Sequence, residues 1–199
     1  SKGVYSVTLN KETDQLESLT LEAAIDNPTY LSYSKSDQLL FAVGKGEEHC
    51  GISASNALTS PVEPLASYDD QKAVPCYIRY NEKTGDVLTA NYHGGFVELY
   101  HYDKEKQSFT FVDKKVHSGS SVHANQTSPH VHYTDYTPDE KWIVVCDLGI
   151  DTVFTYRRTE TGLEEVAEYK TKAGSGPRHL TFHPTLPIAY LICELDATV

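Results

Sequence analysis

Short apolar runs broken by charged turns set the rhythm of this chain. Val4-Tyr5-Ser6-Val7-Thr8, Phe96-Val97-Glu98-Leu99-Tyr100 and Thr152-Val153-Phe154-Thr155-Tyr156 mix β-branched and aromatic residues with alternating polar ones, the signature of strands. Polar turn segments separate such runs at residues 10–14, 81–85, 103–107 and 158–162. No window carries apolar residues at a 3.6-residue period over the length of a helix. The pattern predicts an all-β chain.

The runs also repeat. A proline opens a strand at Asn27-Pro28-Thr29-Tyr30, Val74-Pro75-Cys76-Tyr77, Ser128-Pro129-His130-Val131 and Gly176-Pro177-Arg178-His179. These prolines recur roughly every 50 residues, a propeller-blade period. After each comes a polar turn and a second strand, at 39–43, 87–91, 143–147 and 189–194, and then a hairpin with charged turns. The unit is four strands, A to D from the inside outward. The chain opens on a C–D pair near 4–8 and 16–21 and closes on an A–B pair. The expectation is one β-propeller domain over 1–199, with about fourteen strands in about three and a half blades. A Greek-key sandwich offers no reason for such a repeat. Half a propeller leaves two blade faces to be covered, so the parent chain is expected to be about twice as long, about 350 residues.

Composition narrows the class. Hydrophobic residues make up 39% and charged residues 23% of 199, which excludes a disordered or collagen-like chain. No apolar run approaches the ~20 residues of a membrane helix, and no charged-then-apolar leader is visible, which points to the cytoplasm. A net charge of −11 disfavours nucleic-acid and anionic-membrane partners, while leaving room for a local basic pocket. The cysteines at 50, 76, 146 and 193 form no C-x-x-C pair and read as reduced, mostly buried thiols. Met is absent and the chain opens with Ser-Lys-Gly, a further sign of a fragment.

Strand geometry gathers the candidate chemistry. The start of strand A and the end of strand B lie at the same edge of a blade. That rule sends His130, Arg178 and His179 (strand starts) and Asn91, Asp147 and Glu194 (strand ends) to one rim near the axis. Arg178 suits a carboxylate or phosphate, or else a salt bridge. Gly174 and Gly176 stand ready to offer backbone N–H groups to an anion. Glu194 ends the apolar run 188–193, a dry wall that would favour its protonation for acid/base work. His130 and His132 share a strand face, with His130 nearer the rim as acid/base and His132 deeper. Asn91, Tyr92 and His93 share that rim. Asn91, His93, His132 and Asp147 are grouped as substrate-facing, although His132 also reads as a packed histidine and Asp147 as a turn cap. His179 and His183 read as structural. No third ligand joins His130-x-His132, so neither a metal nor a cofactor is expected. There is no G-x-S-x-G elbow. The Ser-rich stretch 118–121 reads as a flexible loop or lid, and the sequon Asn125-Gln126-Thr127 as idle in an intracellular protein.

Three segments are specific enough to suggest a family: Ser128-Pro-His-Val-His-Tyr-Thr-Asp135 with Asp147-Leu-Gly-Ile-Asp151; Gly174-Ser-Gly-Pro-Arg-His-Leu-Thr-Phe-His-Pro184 with Glu194-Leu195; and Ala90-Asn-Tyr-His-Gly-Gly95. They resemble the seven-bladed propeller lactonases, which include bacterial 6-phosphogluconolactonases and fungal carboxymuconate cyclases. The resemblance runs through the whole chain and reaches about half of a seven-bladed protein. It implies a small anionic lactone as substrate, with 6-phosphogluconolactone foremost. His130, Arg178 and Glu194 would then be the catalytic groups. A lactonizing cyclase and a non-enzymatic binding propeller are the alternatives.

Overall fold

The computed structural model describes residues 3–46, 50–69 and 74–199. The strands are β1 (Val4–Asn10), β2 (Gln15–Ala23), β3 (Leu31–Ser34), β4 (Leu39–Lys45), β5 (Cys50–Asn56), β6 (Glu63–Asp69), β7 (Tyr77–Tyr80) and β8 (Asp86–Asn91). They continue as β9 (Phe96–Asp103), β10 (Ser108–Val116), β11 (Val131–Tyr136), β12 (Ile143–Asp147), β13 (Thr152–Thr159), β14 (Gly162–Lys170), β15 (Pro177–Phe182) and β16 (Ala189–Cys193). A 3-10 turn, Leu148–Ile150, follows β12.

Antiparallel pairing sorts the strands into three four-stranded sheets, β3 to β6, β7 to β10 and β11 to β14, flanked by the hairpins β1–β2 and β15–β16. The repeat therefore corresponds to propeller blades. The strand count is corrected to sixteen among the described residues, because three complete sets stand between the two end hairpins.

Sequence explains burial strand by strand. The second strands β8 and β12 are buried at every position, since each is flanked within its sheet and covered by neighbouring sheets. Phe41, Val43, Ile52, Ile78 and Val87 pack between the first and second full sheets. Leu88, Leu99, Val131, Ile143, Val145 and Phe154 do so between the second and third. Each fully buried aliphatic side chain contributes about 1.5–3 kcal/mol. Polar ties join the same sheets. Asp86 accepts from Arg158 Nε at 3.0 Å and from the Tyr136 hydroxyl at 2.7 Å, and Arg79 pairs with Asp135 at 3.0 Å.

The Ser-rich stretch is tied down at its last residue. Ser121 donates its backbone N–H to Gln126 O at 2.9 Å and its hydroxyl to Asp151. Gln126, fully buried, donates to Leu148 O and to Asp151 Oδ1, each at 2.8 Å. The same Asp151 carboxylate accepts the amides of Gly174 and Gly176 at 2.8 Å. Burial pushes the Asp151 pKa up, but these hydrogen bonds together hold it below the usual carboxylate range. The two glycine amides are thus taken by the chain's own carboxylate rather than offered to a ligand. All four cysteines are free thiols; Cys146 and Cys193 are buried, Cys50 and Cys76 partly so. Among the described residues no helix is long and apolar enough to cross a membrane.

Candidate active site

In the four sheets that contain an inner strand, its start pairs with the end region of the second: Leu31 with Ala42, Tyr77 with Ala90, Val131 with Asp147, Pro177 with Cys193. That edge carries a cleft of about 410 Å³ drawing on four successive sheets. Asn27, Thr29 and Lys45 come from the first full sheet, Cys76, Tyr92 and His93 from the second, His132 from the third and Glu194 from the last hairpin. Three larger clefts, of about 870, 550 and 520 Å³, lie between outer strands, at the opposite rim and against the face of the last hairpin. Many of their charged side chains are already paired, Lys115 with Asp113, Arg79 with Asp135 and Lys83 with Glu140.

Arg178 ties together two residues of the smaller cleft's lining, Glu194 and His132. Its Nε–H lies 2.8 Å from Glu194 Oε2 and 3.2 Å from His132 Nε2. Both terminal guanidinium nitrogens are without a hydrogen-bond partner among the described residues, and the side chain is 43% exposed. An arginine always donates, so His132 Nε2 accepts and its proton sits on Nδ1. That Nδ1 lies 3.1 Å from His179 Nε2, which therefore accepts in turn. Burial, then the Arg178 and His179 charges, lower the His132 pKa from 6.5 to about 4. Burial and Arg178 lower that of His179 as well. Both rings are neutral near pH 7. A register shift between Pro177 and His179 turns the His179 ring toward His132, so His179 joins this chain rather than standing apart from it.

His130 is outside the lining of the cleft and stacks on Tyr92, which lines it. The two rings stack at 4.2 Å with planes 9° apart, and the Tyr92 ring also meets His132 edge-on at 5.9 Å. His130 Nδ1 donates to the Tyr92 carbonyl at 2.9 Å, since a carbonyl only accepts. The remaining nitrogen, Nε2, has no partner among the described residues. Burial and the Glu194 charge raise the Tyr92 hydroxyl pKa. Burial pushes the Cys76 thiol up to about 11.

Several expectations change here. Asp147 and Asn91 are fully buried and do not face the cleft. Asp147 caps the 3-10 turn through Gly149 N at 3.0 Å and pairs with His117 at 2.7 Å, while Asn91 Oδ1 accepts from Gly94 N at 2.8 Å. His93 is exposed and His132 half-buried, and both line the cleft. Glu194 is 45% exposed and ion-paired to Arg178, a partner that favours its charged form rather than its protonation. His183 accepts from Thr185 N at 3.1 Å and Leu186 N at 2.9 Å, a turn-forming role. Lys45 went unnoticed, yet it occupies the same place at the end of a second strand as Asp147 and Glu194, which is the signal that marks it.

The family profile described as Lactonase, 7-bladed beta-propeller, matches residues 1–199. A protein of Bacillus subtilis named 6-phosphogluconolactonase is 33% identical over 205 residues, covering 100% of this chain and 58% of the relative. Among solved structures, a protein from Lactobacillus plantarum superposes with a TM-score of 0.90 at 35% identity, over 98% of this chain and 57% of that one. The periplasmic gluconolactonase of Pseudomonas aeruginosa superposes with a TM-score of 0.85 at 27% identity, over 98% and 58%. The chain therefore spans somewhat more than half the length of these relatives.

Proposed function

The chain belongs to the seven-bladed β-propeller lactonase family, and from that membership we propose that the protein hydrolyses a sugar lactone, with 6-phosphogluconolactone converted to 6-phosphogluconate as the foremost reaction. The observation that carries this reading is the posture of Arg178. Glu194 and His132 grip its Nε, which leaves a planar pair of terminal N–H groups for a substrate oxyanion or a developing one.

Two groups supply proton transfer. Glu194 uses Oε2 on Arg178 and keeps Oε1 for a water. His130, its Nδ1 proton held by the Tyr92 carbonyl, presents Nε2. Glu194 takes a proton from water as the water oxygen bonds to the lactone carbonyl carbon. Arg178 steadies the negative charge on the carbonyl oxygen. The bond from that carbon to the ring oxygen then breaks, and protonated His130 Nε2 gives its proton to the departing ring oxygen. The Glu194 proton returns to His130 through solvent, which closes the cycle. If His130 is instead the base, His130 takes the water proton and returns it to the ring oxygen itself. The Bacillus subtilis and Pseudomonas aeruginosa relatives support a lactone as substrate. Lys45 in the cleft, and Arg178 held against the cleft residue Glu194, support an anionic one.

The test is direct. Full-length protein is offered 6-phosphogluconolactone, a neutral gluconolactone and a carboxymuconate, with spontaneous hydrolysis subtracted. Enzymatic opening of either lactone is expected. Turnover of the carboxymuconate alone would make the protein a cyclase, and no turnover at all would make it a binding propeller.

A further inference from the structure

Beneath the rim lies a polar chain that the proposed reaction does not use. His117 follows β10 on the outer edge of the second full sheet, where its backbone N–H bonds to Gly95 O at 2.9 Å. Its ring turns into the third sheet and is almost completely enclosed. Nδ1 lies 2.7 Å from Asp147 Oδ2, Nε2 lies 2.9 Å from the Tyr156 hydroxyl, and the ring packs on Phe154 at 4.0 Å. The Asp147 side chain is 0% exposed and that of His117 3%. A carboxylate so enclosed is retained only when paired and hydrogen-bonded.

The other Asp147 oxygen reaches the candidate site. Oδ1 accepts the backbone N–H of His130 at 2.7 Å and that of Gly149 at 3.0 Å. The His130 carbonyl in turn accepts the Leu148 N–H at 3.0 Å. Both peptide units of His130 are therefore clamped by the segment that Asp147 begins. The approach is close: a Cβ on Gly149 would lie 2.0 Å from Ser128 O and 2.7 Å from His130 N. With the ring fixed on Tyr92, His130 Nε2 is the one polar atom of that residue left to face a ligand among the described residues.

We propose that His117 is a positioning residue for His130, acting through the buried Asp147 carboxylate. His117 holds Oδ2, which orients the carboxylate so that Oδ1 meets the His130 N–H in line. The inference rests on the lactonase reading only in giving His130 a task. The clamp itself is a matter of geometry.

The experiment uses the full-length protein with labelled histidine, and reads both the His130 imidazole resonances and lactone turnover. His117→Asn is expected to shift the His130 resonances and to lower kcat about 10- to 100-fold with KM within about twofold. In a His130→Asn background the same change should cost nothing further in kcat, because groups acting through one another are not additive. A His117→Asn protein with a lower melting temperature but unmoved His130 resonances and normal kcat would overturn the proposal, leaving His117 as a brace between sheets. If His117→Asn does not fold, Tyr156→Phe carries the test, since it removes only the hydroxyl at His117 Nε2. It should move the same resonances and lower kcat about threefold, and unmoved resonances would again overturn the proposal. If His130→Asn alone turns over normally, the catalytic reading of His130 fails, while the resonance shifts still decide the clamp.

Discussion

The Nε–H of Arg178 points at Nε2 of His132 across 3.2 Å, from the last hairpin to the sheet before it. A histidine that accepts from an arginine is neutral by construction, and here it is also half-buried and faces a second histidine. The pair serves to aim Arg178. A lysine in its place keeps the charge but has neither an Nε–H for Glu194 and His132 nor a planar fork for the ligand. Arg178→Lys is expected to lower kcat/KM for the lactone by about 100-fold or more, while the melting temperature, read by calorimetry, stays near wild type. A Lys variant of normal kcat/KM would remove Arg178 from the site.

How far this was legible in the sequence varies with range. The blades were, because a second strand such as Ile143–Asp147 is enclosed on both faces and is apolar up to its terminal carboxylate. The edge to which Arg178 and Glu194 belong was also legible, since hairpin pairing dictates it. The partners across sheets were not. His117 approaches Asp147 from 30 residues away and from another sheet, and nothing in its local sequence marks it. Register shifts between Val131 and Tyr133 and between Pro177 and His179 break simple alternation, which is why His179 turns toward His132. Asn91 and Asp147 have the right chemistry at the right edge, yet both face inward to cap turns, a choice that local sequence leaves open.

The state of His132 makes a statement about pH and stability. Its folded pKa lies at about 4, below the ordinary 6.5, chiefly because it is buried. Between those values the unfolded chain holds a proton that the folded protein lacks, so stability falls as pH drops from 6.5 toward 4. His179 adds in the same direction. His132→Gln keeps an acceptor for Arg178 and does not titrate. Denaturant melts across this window should show a shallower loss of stability for the variant. Parallel losses in both proteins would show that His132 titrates normally.

Asp151 is expected to matter more for folding than for chemistry. It sits in the left-handed region, at φ 52°, and its carboxylate receives donors from Ser121, Gln126, Gly174 and Gly176. Asp151→Ala strands buried donors at about 1–3 kcal/mol each. The expected loss is several kcal/mol in urea melts. Because Gly176 leads directly into Pro177 and Arg178, KM should also rise in whatever enzyme remains folded. A loss below about 1 kcal/mol would mean that water replaces the carboxylate.

Lys45 should separate phosphorylated from neutral substrates. It enters the cleft from the first full sheet, three sheets from Glu194, and no carboxylate pairs with it among the described residues. A phosphate carries roughly two negative charges, and a lone ammonium is a point-charge partner for it. Lys45→Ala is expected to raise KM for 6-phosphogluconolactone about tenfold and to leave KM for neutral gluconolactone within about twofold. Equal effects on both substrates would place the phosphate elsewhere.

Glu194 and His130 can be told apart by what each loses. Glu194→Gln removes the base at Oε1 but also the anion that holds Arg178 Nε, so both kcat and KM should worsen. His130→Asn leaves the Arg178 grip untouched and should lower kcat by about 10²–10⁴ with little change in KM. Both residues lie at an exposed or half-exposed rim, so melting temperatures should move little. The double variant should fall well short of the product of the two single losses, because the groups serve one turnover. A single variant that stays folded and turns over normally has no part in proton transfer. If both do, Arg178 and Glu194 are a salt bridge at a binding rim.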